Sequence, residues 1–534
     1  GDGDGDDDDT PTDPGDGDGG DDNPTDPGDG DGDDDDTPTD PGDGDGGDDN
    51  PTDPGDGDGD DDDTPTDPGD GDGGDDNPTD PGDGSGGDDQ GGRTPTVGNP
   101  ADPPSAETED QAVDSSHTAI VLVNGRPTGI EITASTMDEG RRIATFVLEA
   151  EWLDALLEDG LDAVITIQTV QPADTTIGLL NGRMVRDMAQ REAVVQFIVD
   201  SASYTLPAHF IPIGEIASQF GPEAALEEIL IAIEIAAATD EQADGIERAL
   251  GEQGYMLAAP PVQFTLRAEY GGRAVEAATF GGYIERTIVI PEGTAPERVT
   301  TAVVIEADRT VRHVPTKILN VDGRMVAVIK SLTNSTYALV WNPVRFTDTA
   351  GHWSEDAAQE LGARMIFQGT DGGKFEPNRA MSRAEFSAVI VRALGLKTTS
   401  PENRDLPFSD VREQDWFSEA VRTAYARGLI AGTDSGLFRP ADPVTREQAM
   451  VIMAKAMAIT GLADNVQAAS DGRLPEGYRD ADLVSAWARN SVALALRAGI
   501  VTGRDHAELA PQAVITRAEA VIMVRRLLQK SDLI

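Results

Sequence analysis

Phe346-Thr347-Asp348, then Trp353, Gly369, Phe375, Pro377 and Ser382-Arg383-Ala384-Glu385, is a pattern that this chain writes three times. The second copy reads Phe408-Ser409-Asp410, Trp416, Gly432, Phe438, Pro440 and Thr445-Arg446-Glu447-Gln448. The third reads Tyr478-Arg479-Asp480, Trp487, Gly503, Leu509, Pro511 and Thr516-Arg517-Ala518-Glu519. Trp to Gly is 16 residues in each copy, Gly to Pro 8 and Gly to Arg 14, and only Asp to Trp varies, at 5, 6 and 7. Fixed spacing under changing sequence marks a repeated structural unit.

Each unit predicts two helices. The first starts near the Trp, with Trp353, Ala357, Leu361 and Met365 as an apolar stripe. It stops before Gly369, which suits a left-handed cap or a close turn. The second opens on Ser382, Thr445 or Thr516 as N-cap. The Glu or Gln three residues on completes a capping box. Phe386, Val389, Ile390, Ala393 and Leu394 form its inward face. A unit of about 50 residues buries too little alone, so three predict one shared helical core.

Capping accounts for the Ser/Thr and Glu/Gln positions, and core packing for Phe375 and Pro377. Core packing is the first reading of the Trp side chains and a ligand platform the second. The Arg after each cap opposes the helix dipole, so Arg383, Arg446 and Arg517 need another partner. Either an Asp such as Asp348 pairs with them, or their forks await a carboxylate or phosphate.

The ordered, thrice-repeated motif resembles S-layer homology (SLH) domains in their usual set of three, over about 344–530. The resemblance implies an all-α, pseudo-threefold helical bundle whose grooves hold secondary cell-wall polysaccharide, typically pyruvylated, at a Gram-positive surface. It implies glycan contact by Arg383, Arg446 and Arg517 beside Ser382, Thr445 and Thr516. Asp348, Asp410, Asp480, Trp353, Trp416, Trp487, Gly369, Gly432 and Gly503 would shape the grooves. The third copy departs from the pattern: Gly503-Arg504-Asp505-His506 replaces the Gly-Thr-Asp of the others, which puts its contacts in question.

Upstream lie different physical regimes, and the fold class expected is multidomain. Residues 1–90 hold 39 Asp and no Lys, Arg, Glu or His, in 27-residue repeats of Asp, Gly, Pro and Thr. Such a tract cannot offset its ordering entropy and predicts a disordered, extended spacer. Its Asp-x-Asp-x-Asp runs resemble the start of a calcium loop but lack the closing Glu. Gly84-Ser85-Gly86-Gly87 looks like a serine-protease loop but sits within the same tract. Residues 91–116 predict a linker. Residues 117–343 predict an α+β region, divided into 117–218 and a β-rich 219–343. The repeats then occupy 344–400, 406–462 and 476–530. Helices are expected over Glu151–Glu158, Asn181–Gln190, Ile213–Phe220 and Asp240–Glu252. A strand, a Gly125-Arg126-Pro127 turn and a second strand open the region.

The net charge is −60 and nothing supplies the basic face that nucleic acid needs. With no Cys, disulfides, Cys-ligated zinc and thiol nucleophiles are excluded. No metal or cofactor motif is present, no apolar run reaches a membrane span, and His117, His209 and His313 are scattered. Acids at helical spacing, such as Asp154 and Glu158, read as a solvated face. The chain starts inside a repeat without Met or leader and reads as a mature or truncated form. The expectation is a non-catalytic cell-surface or S-layer protein, extracellular and at the cell wall, held by pyruvylated secondary cell-wall polysaccharide. Self-association in a surface lattice is the second partner expectation. One rival is a wall-held glycan-degrading enzyme with its catalytic domain upstream. The other is adhesion or cation binding by the acidic tract.

Overall fold

The computed structural model describes residues 118–534, apart from 139, 158–161, 278, 307–308, 399–405, 434, 468–472 and 505–506. The acidic repeats, the linker, His117 and Glu158 lie outside the described residues, and so do their spacer, calcium and solvated-face readings.

The strands in chain order are β1 (Thr118–Val123), β2 (Arg126–Thr133), β3 (Ser135–Asp138), β4 (Arg142–Val147), β5 (Val164–Thr169), β6 (Thr175–Asn181), β7 (Val194–Ile198), β8 (Ala202–Pro207) and β9 (Leu230–Ala237). They continue as β10 (Met256–Tyr270), β11 (Arg273–Glu276), β12 (Thr279–Val289), β13 (Thr301–Ile305), β14 (Val311–Val314), β15 (Thr316–Val321), β16 (Arg324–Thr333) and β17 (Ser335–Trp341). One sheet runs β15-β16-β12-β8-β7-β5-β1-β2, the other β14-β13-β17-β10-β9-β6-β4-β3 with β11 beside β10. The expected helices appear as α1 (Ala150–Leu157), α2 (Gly182–Gln190), α3 (Ile213–Phe220) and α4 (Asp240–Glu252).

Both sheets cross the expected 218/219 boundary. β8 pairs with β12 and β6 with β9, so 117–218 and 219–343 share one pair of sheets. The first turn also differs. Asn124 and Gly125 carry φ of 51° and 76°, the mirror-type hairpin turn. Pro127 therefore falls inside β2, where the sheet edge tolerates a missing N–H.

The core lies between the sheets, where Tyr204 of β8 meets Phe264 of β10 edge-on at 5.3 Å. β6 escapes periodicity because Gly178 interrupts its apolar run. A Cβ there would stand 1.9 Å from the Phe197 ring, so the glycine admits that ring from the facing sheet. Arg286 is fully buried, 4.9 Å from the Tyr204 ring and donating to Ile284 O and Thr333 O. Pattern reading has no signal for such a cation, because apart from Ile284 O its partners are carbonyls and rings of distant strands, and its Nε has no hydrogen-bond partner among the described residues.

The C-terminal described residues carry α5 (Glu355–Ala363), α6 (Arg383–Ala393), α7 (Ser418–Ala426), α8 (Arg446–Ile459), α9 (Leu462–Gln467), α10 (Arg489–Arg497) and α11 (Arg517–Lys530). α5–α6, α7–α8 and α10–α11 are the helix pairs of the three copies. Their buried side chains form one cluster. The copies close in a ring: α6 packs on α7, α8 on α10 and α11 on α5. A triangle of backbone bonds sits at the hub, Met381 N to Ile515 O, Val444 N to Met381 O and Ile515 N to Val444 O.

The sheets abut this ring. Tyr283 Oη donates to Leu394 O at 2.7 Å, Arg312 to Gly395 O at 2.7 Å and Arg364 to Thr316 O at 2.9 Å. Lys317 and Lys330 both grip Asp532, at 2.6 and 2.8 Å. Gly395 has φ of 59°, and a Cβ there would meet Pro315 at 2.7 Å.

His313, on β14 at this junction, is buried. Its Nδ1 lies 2.9 Å from Thr301 Oγ1, while Nε2 is buried without a hydrogen-bond partner. Burial, then the charges of Arg364 and Arg312, hold its pKa well below the usual histidine value. The unfolded chain therefore binds the proton first. Stability should fall as pH drops below about 6.5, by up to about 1.4 kcal/mol per pH unit. Urea midpoints between pH 7.5 and 4.5 check this; in His313→Gln the slope over that window should largely vanish.

Candidate functional site: three grooves between the repeats

The motif arginines do not pair with the motif aspartates. Each reaches instead into the loop of the next copy. Arg383 donates to Phe438 O at 2.9 Å and Ala431 O at 3.0 Å. Arg446 donates to Leu509 O at 2.8 Å and Thr502 O at 3.2 Å. Arg517 donates to Phe375 O at 2.7 Å and Gln368 O at 2.8 Å, which closes the ring from third copy to first. Arg446 and Arg517 are buried. Each fork spans two carbonyls of the next copy's loop, partners that no local pattern announces.

The expected Asp–Arg pairing fails because the aspartates are already occupied within their own copy. Asp348 accepts from Phe375 N and Glu376 N at 2.7 and 2.8 Å. Asp410 accepts from Phe438 N and Arg439 N, and Asp480 from Leu509 N and Ala510 N. Burial would raise the Asp348 carboxyl, but its two amide donors outweigh that and hold it below the usual range. The residues so held, Glu376, Arg439 and Ala510, have φ of 55°, 58° and 48°. Two amides on one carboxylate offset that strain.

The glycines serve close approach, not a left-handed cap. A Cβ on Gly369 would meet Phe346 at 2.9 Å, one on Gly432 Phe408 at 2.4 Å, and one on Gly503 Glu508 O at 2.8 Å and Tyr478 at 2.9 Å. The left-handed position falls earlier, at Met365, Gly428 and Gly499. Met365 thus leaves the expected helical stripe. Ser382, Thr445 and Thr516 all form the complete capping box.

Trp353, Trp416 and Trp487 also leave the expected core. They precede the first helices and are 63%, 66% and 61% exposed. Each stands over a groove built by the other two copies. Groove 1, of about 180 Å³, joins the Gly369 loop and Arg392 of copy one to Arg517 of copy three and Trp416 of copy two. Groove 2, of about 330 Å³, joins the Gly432 loop and Lys455 of copy two to Arg383 of copy one and Trp487 of copy three. Groove 3, of about 720 Å³, joins the Gly503 loop and Arg526 of copy three to Arg446 of copy two and Trp353 of copy one. No copy completes a groove alone.

The grooves differ in charge. In groove 3 Glu519 accepts from Arg446 at 2.8 Å and from Arg504 at 2.9 Å. In groove 1 Glu385 is held by Arg379 at 2.6 Å. Groove 2 has neutral Gln448 at that position. Arg392, Lys455 and Arg526 were missed by motif reading, although each follows its motif Arg by nine residues. That recurrent offset is the signal that would have found them.

The S-layer homology domain family matches residues 345–387, 407–450 and 477–521. The chain carries three SLH domains. It is 34% identical over 203 residues to an exoglucanase, XynX, of Acetivibrio thermocellus, covering 38% of this chain and 18% of that protein. A surface-layer 125 kDa protein of Lysinibacillus sphaericus is 27% identical, over 34% of this chain and 14% of that one. A cellulosome-anchoring protein of A. thermocellus is 25% identical, over 32% of this chain and 36% of that one. The chain thus spans well under half the length of each relative. The SLH domains, shared with surface-layer and cellulosome-anchoring proteins, mark this as an extracellular protein of the cell wall. No helix among the described residues is long and apolar enough to cross a membrane.

Proposed function

We propose that the SLH copies act as one all-α, pseudo-threefold unit whose three grooves each hold a segment of acidic, pyruvylated secondary wall polysaccharide. The observation that carries this is the shared composition of the grooves: an exposed Trp, a tight Gly loop and at least two cations, assembled from all three copies. The Trp faces are sugar platforms. Arg383, Arg446 and Arg517 hold the groove walls and lend them positive charge. Ser382, Thr445, Thr516 and the three Asp act by fixing the loops and helix ends. Three modest sites on one rigid body give retention through multivalency.

The same reading makes the chain a non-catalytic surface protein, with 118–343 as a coat or spacer body set on the anchor and able to meet further copies. The matches to an exoglucanase and an amylopullulanase of Thermoanaerobacterium thermosulfurigenes support the second reading, the anchor of a glycan-degrading enzyme. Sedimentation of the chain with purified wall sacculi tests the anchor. It should sediment with them, be displaced by released acidic wall polysaccharide, and stay in solution once that polymer is stripped. Sedimentation that ignores both competitor and stripping would refute the groove reading. Release of reducing sugar from wall or plant glycans by the chain would favour the enzyme reading.

A further inference from the structure

A cleft of a different kind lies on the sheet body. α4 covers part of the face of the second sheet that turns away from the core, where Leu250 packs against Val303, Ala338 and Val340. Beside that contact, α4 and the chain between β13 and β14 enclose a cleft of about 380 Å³. Ile246, Ala249 and Ile305 give it an apolar floor, and exposed Arg248, Glu252 and Arg309 stand at its rim. Arg248 and Glu252 are one helical turn apart, yet among the described residues no ion pair engages either of them or Arg309.

Two residues of this cleft break local rules. Arg309 has φ of 69°, a left-handed position that favours Gly or Asn. Its N–H donates to Glu306 O and its carbonyl accepts from Gln253 Nε2, both at 2.9 Å, so the loop and the end of α4 hold it there. Gly245 sits in the middle of α4, where Gly weakens a helix relative to Ala. A Cβ there would meet nothing within 4 Å, so packing does not require the glycine. Both departures cost stability, and both serve the cleft: one sets a guanidinium at its mouth, the other keeps its helical wall bare. The rim carries two positive charges and one negative, and its complement carries two negative and one positive. From the cleft, its apolar floor and this charge pattern, we propose that the sheet body binds a short acidic peptide here. Two carboxylates meet Arg248 and Arg309, an ammonium group meets Glu252, and aliphatic carbons cover Ile246 and Ile305. The site is independent of the SLH grooves and gives residues 118–343 a binding role of their own.

The probe is the dipeptide alanyl-glutamate with free ends, titrated by calorimetry into the full chain at low salt. It should bind saturably, with Kd of about 1 mM or tighter. Alanyl-glutamine and N-acetyl-alanyl-glutamate each lack one of the three charges and should bind at least about 10-fold more weakly. Arg309→Gly removes a guanidinium and relieves the left-handed strain. It should abolish binding and leave the thermal midpoint unchanged or higher. Gly245→Leu should do the same by filling the cleft from the helix side. A purely structural role for these residues would move the midpoint and not the binding. No saturable binding by the parent, equal binding of the three peptides, or undiminished binding by Arg309→Gly would each overturn the proposal, and none of them bears on the anchor.

Discussion

Replacing Trp353, Trp416 and Trp487 together with Ala should lower retention on wall sacculi at least 100-fold and leave stability nearly unchanged. All three are more than 60% exposed, yet each faces the loop and second helix of another copy. An indole offers a large rigid apolar face with little entropy to lose, and truncating such anchors commonly costs about 2 kcal/mol or more. With three sites joined on one body the losses compound, because each weakened site also weakens the gain from linkage. Surface truncation away from the core shifts stability by about 0.5 kcal/mol or less. Sedimentation and a melting curve on the same sample separate the two effects. Retention within a factor of two of the parent would remove the Trp side chains from the binding surface.

Arg517→Ala should do the opposite, destabilising the SLH unit by about 3–5 kcal/mol. Its guanidinium is buried, lies 4.8 Å from the Phe375 ring, and donates to carbonyls of copy one some 140 residues away. Truncation strands both carbonyls and opens a cavity at the point where the third copy joins the first. Arg517→Lys keeps the charge but not the fork, so it should recover only part of the loss. Urea unfolding followed by far-UV circular dichroism measures the difference, and a cost under about 1 kcal/mol would show that the ring does not depend on this bond. Loss of glycan binding in Arg517→Ala is therefore ambiguous by itself. The Trp variants, at exposed positions, are the cleaner probes of the grooves.

The spacing of Trp, Gly, Phe, Pro and Ser/Thr-Arg by itself determined the repeat, its helix pairs, its capping boxes and its count of three. These are local properties, since a cap or a helical stripe is written within a few residues. Ala357 and Leu361 are buried as the stripe requires, but Trp353 and Met365, at its two ends, are not part of the helix. Periodicity cannot see where a helix starts. The middle region shows the same division. The four helices were legible, whereas β6 was hidden by Gly178, whose reason is a ring on the opposite sheet. Only tertiary structure decided what the motif arginines do. Sequence showed that helix electrostatics oppose them. Ring closure supplied their partners, because the carbonyls they hold belong to the next copy, 48 to 149 positions away. Closure also made the grooves, each of which takes its loop, its Trp and its motif arginine from three different copies.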